Sequence, residues 1–257
     1  MKNYSNNLFN REGYYIYKIK NQSPLKKAKD ILNDSNHSLI KSSLSFDKMS
    51  LALQKKLYNK KIHIKIFKNE FKYLKKTLNI KSLSDVMITS FFHLRAVKNE
   101  RKKNFIGFHR ETFYSDFEYT SKQINLSVPI INYNKQNSLK IIPKSHLIPD
   151  EKIKTRKLSS KISKIKKNSI KHKLGLAYNP HEILSGVNLK KAKRAELNVG
   201  KLIVFSAMLI HGNGQNNSNK IRYSIDFGII NKKYLKKEKI KKHHISYSKN
   251  QNYWINI

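Results

Sequence analysis

A mainly β chain behind a helical front, closing as an antiparallel barrel or sandwich, is the fold the sequence predicts. Three observations predict it. The hydrophobic period changes from helical to alternating after residue 104. Several short strand patterns follow with long excursions between them, which disfavours a βαβ sheet. Finally, 257 residues with 39% hydrophobic and 11% aromatic content suffice to bury a substantial core in one domain.

Taken in order, residues 1–23 contain a short alternation that sets Tyr15, Tyr17 and Ile19 on one face and Tyr14, Ile16 and Lys18 on the other if extended, a piece that either adds an edge strand or wraps the body. From Pro24 to about Lys61 the spacing is mostly helical, with Ser50 as an N-cap for Leu51, Leu53 and Leu57. A second helical stretch runs from Glu70 to Leu78. A third is capped by Ser82 or Ser84 and carries Val86, Ile88, Phe91, Phe92, Leu94 and Val97.

Beyond residue 104, Ile124, Leu126, Val128 and Ile130 alternate with polar residues as a strand with one apolar face. Pro129 within it requires an edge, a bulge or a missing ladder bond. Leu139–Ile142 and Leu202–Phe205 form short strands. The last clear strand, Arg222–Ile230, sets Tyr223, Ile225, Phe227 and Ile229 against Arg222, Ser224 and Asp226. Residues 151–173 are rich in lysine and serine, an insertion that forms a helix or a flap, and residues 231–257 form a lysine-rich tail ending in aromatic residues.

Composition excludes several chemistries. With no cysteine, disulfides, thiolate zinc sites, iron–sulfur ligation and cysteine nucleophiles are absent together. The longest largely apolar stretch, Leu202–Ile210, is far short of the ~20 residues of a membrane helix. The first residues lack the apolar run of a signal peptide, which points to the cytoplasm. Fifty-four basic against 16 acidic residues give a net charge of +38 and raise nucleic acid as a partner. Yet only seven of the 54 are arginines, and 28 asparagines accompany the lysines, the mark of compositional drift, so no specific nucleic-acid partner is expected.

Chemistry concentrates in two places. His109 and Glu111 are two apart, so in an extended segment they share a face. His211 closes the apolar strand Leu202–Ile210 ahead of Gly212-Asn-Gly214. Two histidines and a carboxylate make a facial triad that leaves iron positions open; for His109 and Glu111 alone, the alternative is a loop histidine beside a salt-bridging glutamate. Eleven residues beyond His211, Arg222 and Ser224 form a receptor for a planar carboxylate, unless Arg222 caps a barrel end against Asp226. Asn125 and Gln123 lie on the polar face of a neighbouring strand. The Gly212-Asn-Gly214 pair lacks the third glycine and the helix of a dinucleotide fingerprint.

The ordered set HRE at 109–111, NSLKIIPKSH at 137–146 and LIVFSAMLIHGNGQNNSNKIRYS at 202–224 resembles the phytanoyl-CoA dioxygenase-like family of Fe(II)- and 2-oxoglutarate-dependent oxygenases. That family carries His-x-Asp or His-x-Glu, an Asn-Gly strand leading to Pro-Gly-Ser-His, and a distal histidine followed at this distance by Arg-x-Ser. The resemblance covers roughly residues 104–230. It departs at Ser138, at Lys144 in place of the glycine before Ser145-His146, and at Glu111 in place of the commoner aspartate, whose extra methylene requires the metal to sit farther out or the strand to bend.

The resemblance implies a double-stranded β-helix, a cupin-like jelly roll, over 104–230, with the helices of residues 1–103 packed outside its major sheet in a single domain spanning 1–257. It implies His109, Glu111 and His211 as Fe(II) ligands, Arg222 as the 2-oxoglutarate anchor supported by Ser224, a second co-substrate contact from Asn125, and a scaffold role for His146. The reaction implied couples conversion of 2-oxoglutarate and dioxygen to oxidation of a substrate C–H bond, most commonly as hydroxylation. The HRETFY segment with its helical front also resembles oxygenases of surface-carbohydrate and secondary-metabolite genes. It implies a small-molecule substrate, anionic or carbohydrate, such as a nucleotide-activated sugar; the lysines of 151–173 with His172 and Arg156 either hold a phosphate or carboxylate of that substrate or form a solvated insertion. The contrasting expectation is a non-catalytic, basic nucleic-acid-binding or scaffold protein on the same fold.

Overall fold

The computed structural model describes residues 4–40, 45–99, 107–114, 118–157, 181–235 and 253–257. Four helices come from the first third of the chain: α1 (Tyr4–Glu12), α2 (Ser23–Ile40), α3 (Phe46–Asn59) and α4 (Ile62–Leu74). Between α1 and α2 lies β1 (Tyr14–Lys18). Then come β2 (Val86–Thr89), β3 (His93–Val97), β4 (Ile124–Ile131), β5 (Lys140–Ile141), β6 (Lys154–Lys157), β7 (His181–Ser185), β8 (Lys193–Arg194), β9 (Lys201–Ser206), β10 (His211–Gly212), β11 (Arg222–Asn231) and β12 (Trp254–Asn256).

The strands form a major antiparallel sheet in the order β1-β9-β4-β11-β2-β12, with β3 also on β11, and a small sheet β10-β5-β8; β6 pairs with β7. This is the jelly roll with packed helices that the sequence implied. The alternation within the strands decides what each face meets. Tyr17, Ile19, Leu126, Val128, Tyr223, Ile225, Phe227 and Ile229 join Leu32, Leu53, Leu57, Ile66 and Phe67 of the helices in the main core. Ile203 and Phe205 turn the other way, into a second cluster with Leu139, Ile141 and Leu209. Of the two readings of its alternation, β1 takes the edge strand, pairing with β9 at one end of the sheet. Pro129 falls at a bulge: pairing with β11 steps from Ile131–Tyr223 to Pro129–Ser224, leaving Ile130 extra.

Several helical expectations are corrected. The helix expected over 82–97 is absent; Ser82 and Asp85 close a capping box around one 3-10 turn, after which β2 and β3 begin. Val86 and Ile88 are two apart, and residues 93–97 alternate similarly; β11 offers both strands a ladder, so sheet pairing outweighs the helical spacing. Buried Gln54 of α3 spans the break between them, donating to the Phe92 carbonyl and accepting from Leu94 N–H. Ser50 is a buried residue inside α3, whose N-cap is Ser45. The expected Glu70–Leu78 helix starts earlier, at Ile62, and ends at Leu74.

The insertion expected at 151–173 opens as strand β6 rather than helix, and exposed Arg156 pairs there with Glu182 of β7. The remainder of that proposed flap, with His172, lies outside the described residues, as does the tail from 236 to 252. No helix among the described residues is long and apolar enough to cross a membrane.

Candidate active site

His109 and His211 are brought together by the backbone itself. Their segments form an isolated antiparallel bridge, each N–H donating to the other's carbonyl at 2.9 Å, and their ring centroids lie 4.4 Å apart. Glu111 does not reach the site by continued strand alternation. The chain bends into a 3-10 turn over Glu111–Tyr114 while Glu111 N–H bonds the Ala207 carbonyl at 2.9 Å. The bend is one of the two accommodations that a glutamate requires in this position.

Each histidine Nδ1 lies 2.9 Å from the carbonyl two residues earlier, Gly107 for His109 and Leu209 for His211. Donation to that carbonyl fixes the tautomer and leaves Nε2 as the lone-pair atom. His211 Nε2 stands 3.8 Å from Glu111 Oε1, and one donor atom from each of the three residues lies within 4.8 Å of the others. Donors about 2.1 Å from a common ion sit about 3 Å apart, so small side-chain adjustments close this set on a metal.

Protonation favours the same use. Burial holds His109 down at about 3, helped by the adjacent His211, and burial holds His211 at about 4. Both imidazoles are therefore neutral near pH 7, as metal ligation requires. The donor set fits a borderline divalent metal with open positions, which is the Fe(II) chemistry of this ligand type.

Neighbouring groups hold this arrangement. Asn125 donates from Nδ2 to Glu111 Oε1 at 3.3 Å, and Gln123 donates to Asn125 Oδ1 at 2.6 Å. Arg110, between the two ligands and 0% exposed, donates to the Ser145 and Ile148 carbonyls and to Asp150. Ser145 Oγ also accepts from Ile210 N–H at 2.8 Å, one residue before His211. The Pro-Lys-Ser-His loop thus binds both ligand segments. Lys144, standing where the resembled motif has glycine, has φ of 65°, in the left-handed region that glycine tolerates best. His146 turns away from the metal centre and donates from Nε2 to the Asn10 carbonyl, in the scaffold role expected of it.

Arg222 is 2% exposed and makes no ion pair among the described residues. Its Nη1 donates to the Asn137 carbonyl and, at 3.4 Å, to that of Gly214; the guanidinium lies 4.8 Å from the Tyr133 ring centroid. Its buried Nε has no hydrogen-bond partner among the described residues. Burial lowers its pKa, the sign of a cation held without sufficient compensation. Ser224, also buried, follows on the same face of β11. A buried guanidinium with an unclaimed N–H and no ion pair among the described residues suits the binding of a carboxylate. Gly214 makes the approach possible, because a Cβ there would lie 1.8 Å from the Ser138 carbonyl oxygen.

Three further residues near the site carry no expectation of a role in it from the sequence. Arg95 was assigned to a helix, yet the scarcity of arginine that drew attention to Arg222 applies to it equally. Asp226 was noted only as a partner for Arg222; it bonds Arg95 and Ser127 instead. Tyr253, in the last described segment, has its hydroxyl pKa raised by burial and by nearby Glu111. No short-range signal in the sequence marks it.

No curated protein matches the sequence. Among solved structures, the chain is similar to EvdO2 from Micromonospora carbonacea var. aurantiaca, with a TM-score of 0.62 and 12% identity over 90% of this chain and 91% of that one. It is also similar to AviO1 from Streptomyces viridochromogenes Tue57, at 0.54 and 14% over 90% and 95%. A third likeness is to SnoK, a non-heme alpha ketoglutarate dependent carbocyclase from nogalamycin biosynthesis, at 0.54 and 8% over 90% and 84%. At these identities the structures share the fold. The family model for phytanoyl-CoA dioxygenase (PhyH) matches residues 23–224, most of the chain. With that match and the His109, Glu111 and His211 cluster together, the chain belongs to the phytanoyl-CoA dioxygenase family of Fe(II)- and 2-oxoglutarate-dependent oxygenases.

Proposed function

We propose that His109, Glu111 and His211 hold Fe(II), that Arg222 with Ser224 anchors 2-oxoglutarate, and that the enzyme hydroxylates a small polar molecule such as a sugar or a nucleotide-activated sugar. The convergence of the three donor atoms within 4.8 Å carries the reading. When bound, iron and 2-oxoglutarate supply the oxidation of an unactivated C–H bond with dioxygen.

The chain's own residues perform the rest. The Gly107 and Leu209 carbonyls hold both Nε2 atoms toward the ion, and Asn125 steadies Glu111 from the next strand. Arg222 would give the remote carboxylate of the co-substrate its missing partner through Nε and Nη2, with Asn125 facing the co-substrate from β4. The Phe205 ring, 4.8 Å from that of His211, and Ile210 keep water from the protein side of the ligands. Support for a polar substrate comes from the hydrogen-bonding groups Ser127, Arg95 and Asp226 on the sheet's polar face.

The test is succinate formation from 2-oxoglutarate by protein reconstituted with Fe(II), with a panel of sugars and nucleotide sugars as stimulants. The wild type should turn over, and His109→Ala and His211→Ala should fall to background while retaining the fold by circular dichroism. Metal-independent turnover would refute the ligand assignment.

A further inference from the structure

The polar face of the major sheet carries a second arginine-centred group that the metal centre leaves unused. On β3, Arg95 stands opposite Ser224 and His93 opposite Asp226, so Arg95 shares the side of the sheet that bears Arg222, Ser224 and Asp226. Both carboxylate oxygens of Asp226 are engaged: Oδ1 accepts from Ser127 Oγ at 2.6 Å, and Oδ2 from Arg95 Nε at 2.9 Å.

This contact orients the guanidinium through its inner nitrogen. Its outer nitrogens, Nη1 and Nη2, make no hydrogen bond to any described residue. The Arg95 and Asp226 side chains are 24% and 26% exposed, whereas Arg222 is 2% exposed, so this group opens to solvent where Arg222 is enclosed. Ser127 follows Asn125 by two residues on β4, a separation of about 7 Å, and Asn125 bonds Glu111. The Arg95 fork therefore stands within one small molecule's length of the metal centre. Its charge is also felt at His109 and His211.

We infer that Arg95, oriented by Asp226 and Ser127, binds an anionic group, a carboxylate or a phosphate monoester, on the substrate that is oxidised. The outer edge of a guanidinium presents two parallel N–H groups, which suit paired anionic oxygens and give a fixed orientation that a lysine would not. Asp226 and Ser127 hold that edge in place before the ligand arrives, which reduces the ordering cost of binding. The inference rests on the oxygenase reading above and narrows it: the substrate carries its negative charge a few bonds from the carbon that reacts.

The test uses protein loaded with Mn(II) and 2-oxoglutarate, in which no turnover occurs, titrated calorimetrically with D-glucuronate, D-glucose 6-phosphate and D-glucose. Salt of about 0.15 M screens the general positive charge of the chain. At least one anionic sugar should bind about ten-fold or more tightly than glucose, and the better of the two identifies carboxylate or phosphate. Arg95→Gln should erase the preference. Arg95→Lys keeps a cation beside Asp226 as a folding control and should recover part of it. In both variants, 2-oxoglutarate affinity should stay within about two-fold of wild type.

Equal binding of all three sugars to the wild type would overturn the proposal, as would a preference that survives Arg95→Gln. A loss of about ten-fold in 2-oxoglutarate affinity in Arg95→Gln would assign the fork to the co-substrate and overturn it too. Absence of Mn(II)-dependent 2-oxoglutarate binding in the wild type would instead remove the oxygenase reading itself, and this inference with it.

Discussion

Tyr223, Ile225, Phe227 and Ile229 point from β11 into the core shared with the helices, while Arg222, Ser224 and Asp226 occupy alternate positions of the same strand and face the other way. The first set is apolar and enclosed. The second holds a buried cation with no ion pair among the described residues, a buried hydroxyl and a partly exposed ion pair, arrangements that contribute little to stability and suit the ligand roles proposed above. One ten-residue strand thus separates folding from chemistry by nothing more than the two-residue period of its backbone. Substitutions on the two faces should therefore separate as well.

The largest effect is expected on the apolar face. Phe227→Ala removes a 4% exposed ring from the main core and should cost about 3–5 kcal/mol, measured by urea unfolding. The fraction that remains folded should bind 2-oxoglutarate as the wild type does. A matching loss of affinity would show that the faces are coupled.

On the polar face the expectation reverses. Arg222→Lys should leave the urea midpoint nearly unchanged but weaken 2-oxoglutarate binding by about 2–5 kcal/mol, because a point charge replaces the fork. Calorimetry on the Mn(II)-loaded protein checks this. Equal affinity in wild type and variant would place the anchor elsewhere.

A histidine also packs against the apolar face, and pH sharpens the comparison. His63 of α4 lies against Phe92 and Phe227, with Nε2 donating to the Thr89 carbonyl, and burial lowers its pKa from 6.5 to about 4. The unfolded chain binds this proton more readily than the folded one, so stability falls as pH drops from 6.5 toward 4 and levels off below. The total from this group is about 3 kcal/mol. His109 and His211 add a loss of the same sign, so the quantity to measure is the difference between wild type and His63→Gln, which keeps a donor for Thr89. Parallel stability curves for the two proteins from pH 7 to 4 would exclude the His63 contribution.

The smallest change is at the loop that binds both ligand segments. Lys144 holds φ of 65°, which costs a residue with a Cβ about 1–2 kcal/mol relative to glycine. After the greater chain entropy of glycine is deducted, Lys144→Gly should stabilise the protein by about 0.5–1 kcal/mol. A lower urea midpoint in the variant would mean that the lysine side chain contributes more than its backbone strain removes.

What was legible in the sequence follows the same division. Alternation along 124–130 and 222–230 identified the central strands and their faces, because a sheet covered on one side by helices leaves a period of two in its residues, whereas Pro129 left an edge, a bulge and a missing ladder bond open until the pairing with β11 showed the bulge. The His109, Glu111 and His211 set was legible because its residue types suit only a few chemistries. Residues 86–97 were misread because Val86, Ile88, Phe91, Phe92, Leu94 and Val97 satisfy a helical spacing as well, and the deciding ladder is supplied by β11, more than a hundred residues away. That error concealed Arg95. Tyr253 was invisible for a related reason: β12 reaches the sheet only by pairing with β2, a contact that no local pattern encodes.

The position of β11 in the chain also governs how the protein is made. It receives β2, β3 and β4, yet about ninety residues separate Ile131 from Arg222, so these strands leave the ribosome on the order of 5–20 s before their partner. Throughout that interval their open edges and apolar side chains are available to neighbouring nascent chains. A half-made chain of this composition already carries a large excess of lysine, and mutual repulsion keeps such intermediates apart. The net charge of the chain thus bears on its synthesis as well as on its finished surface.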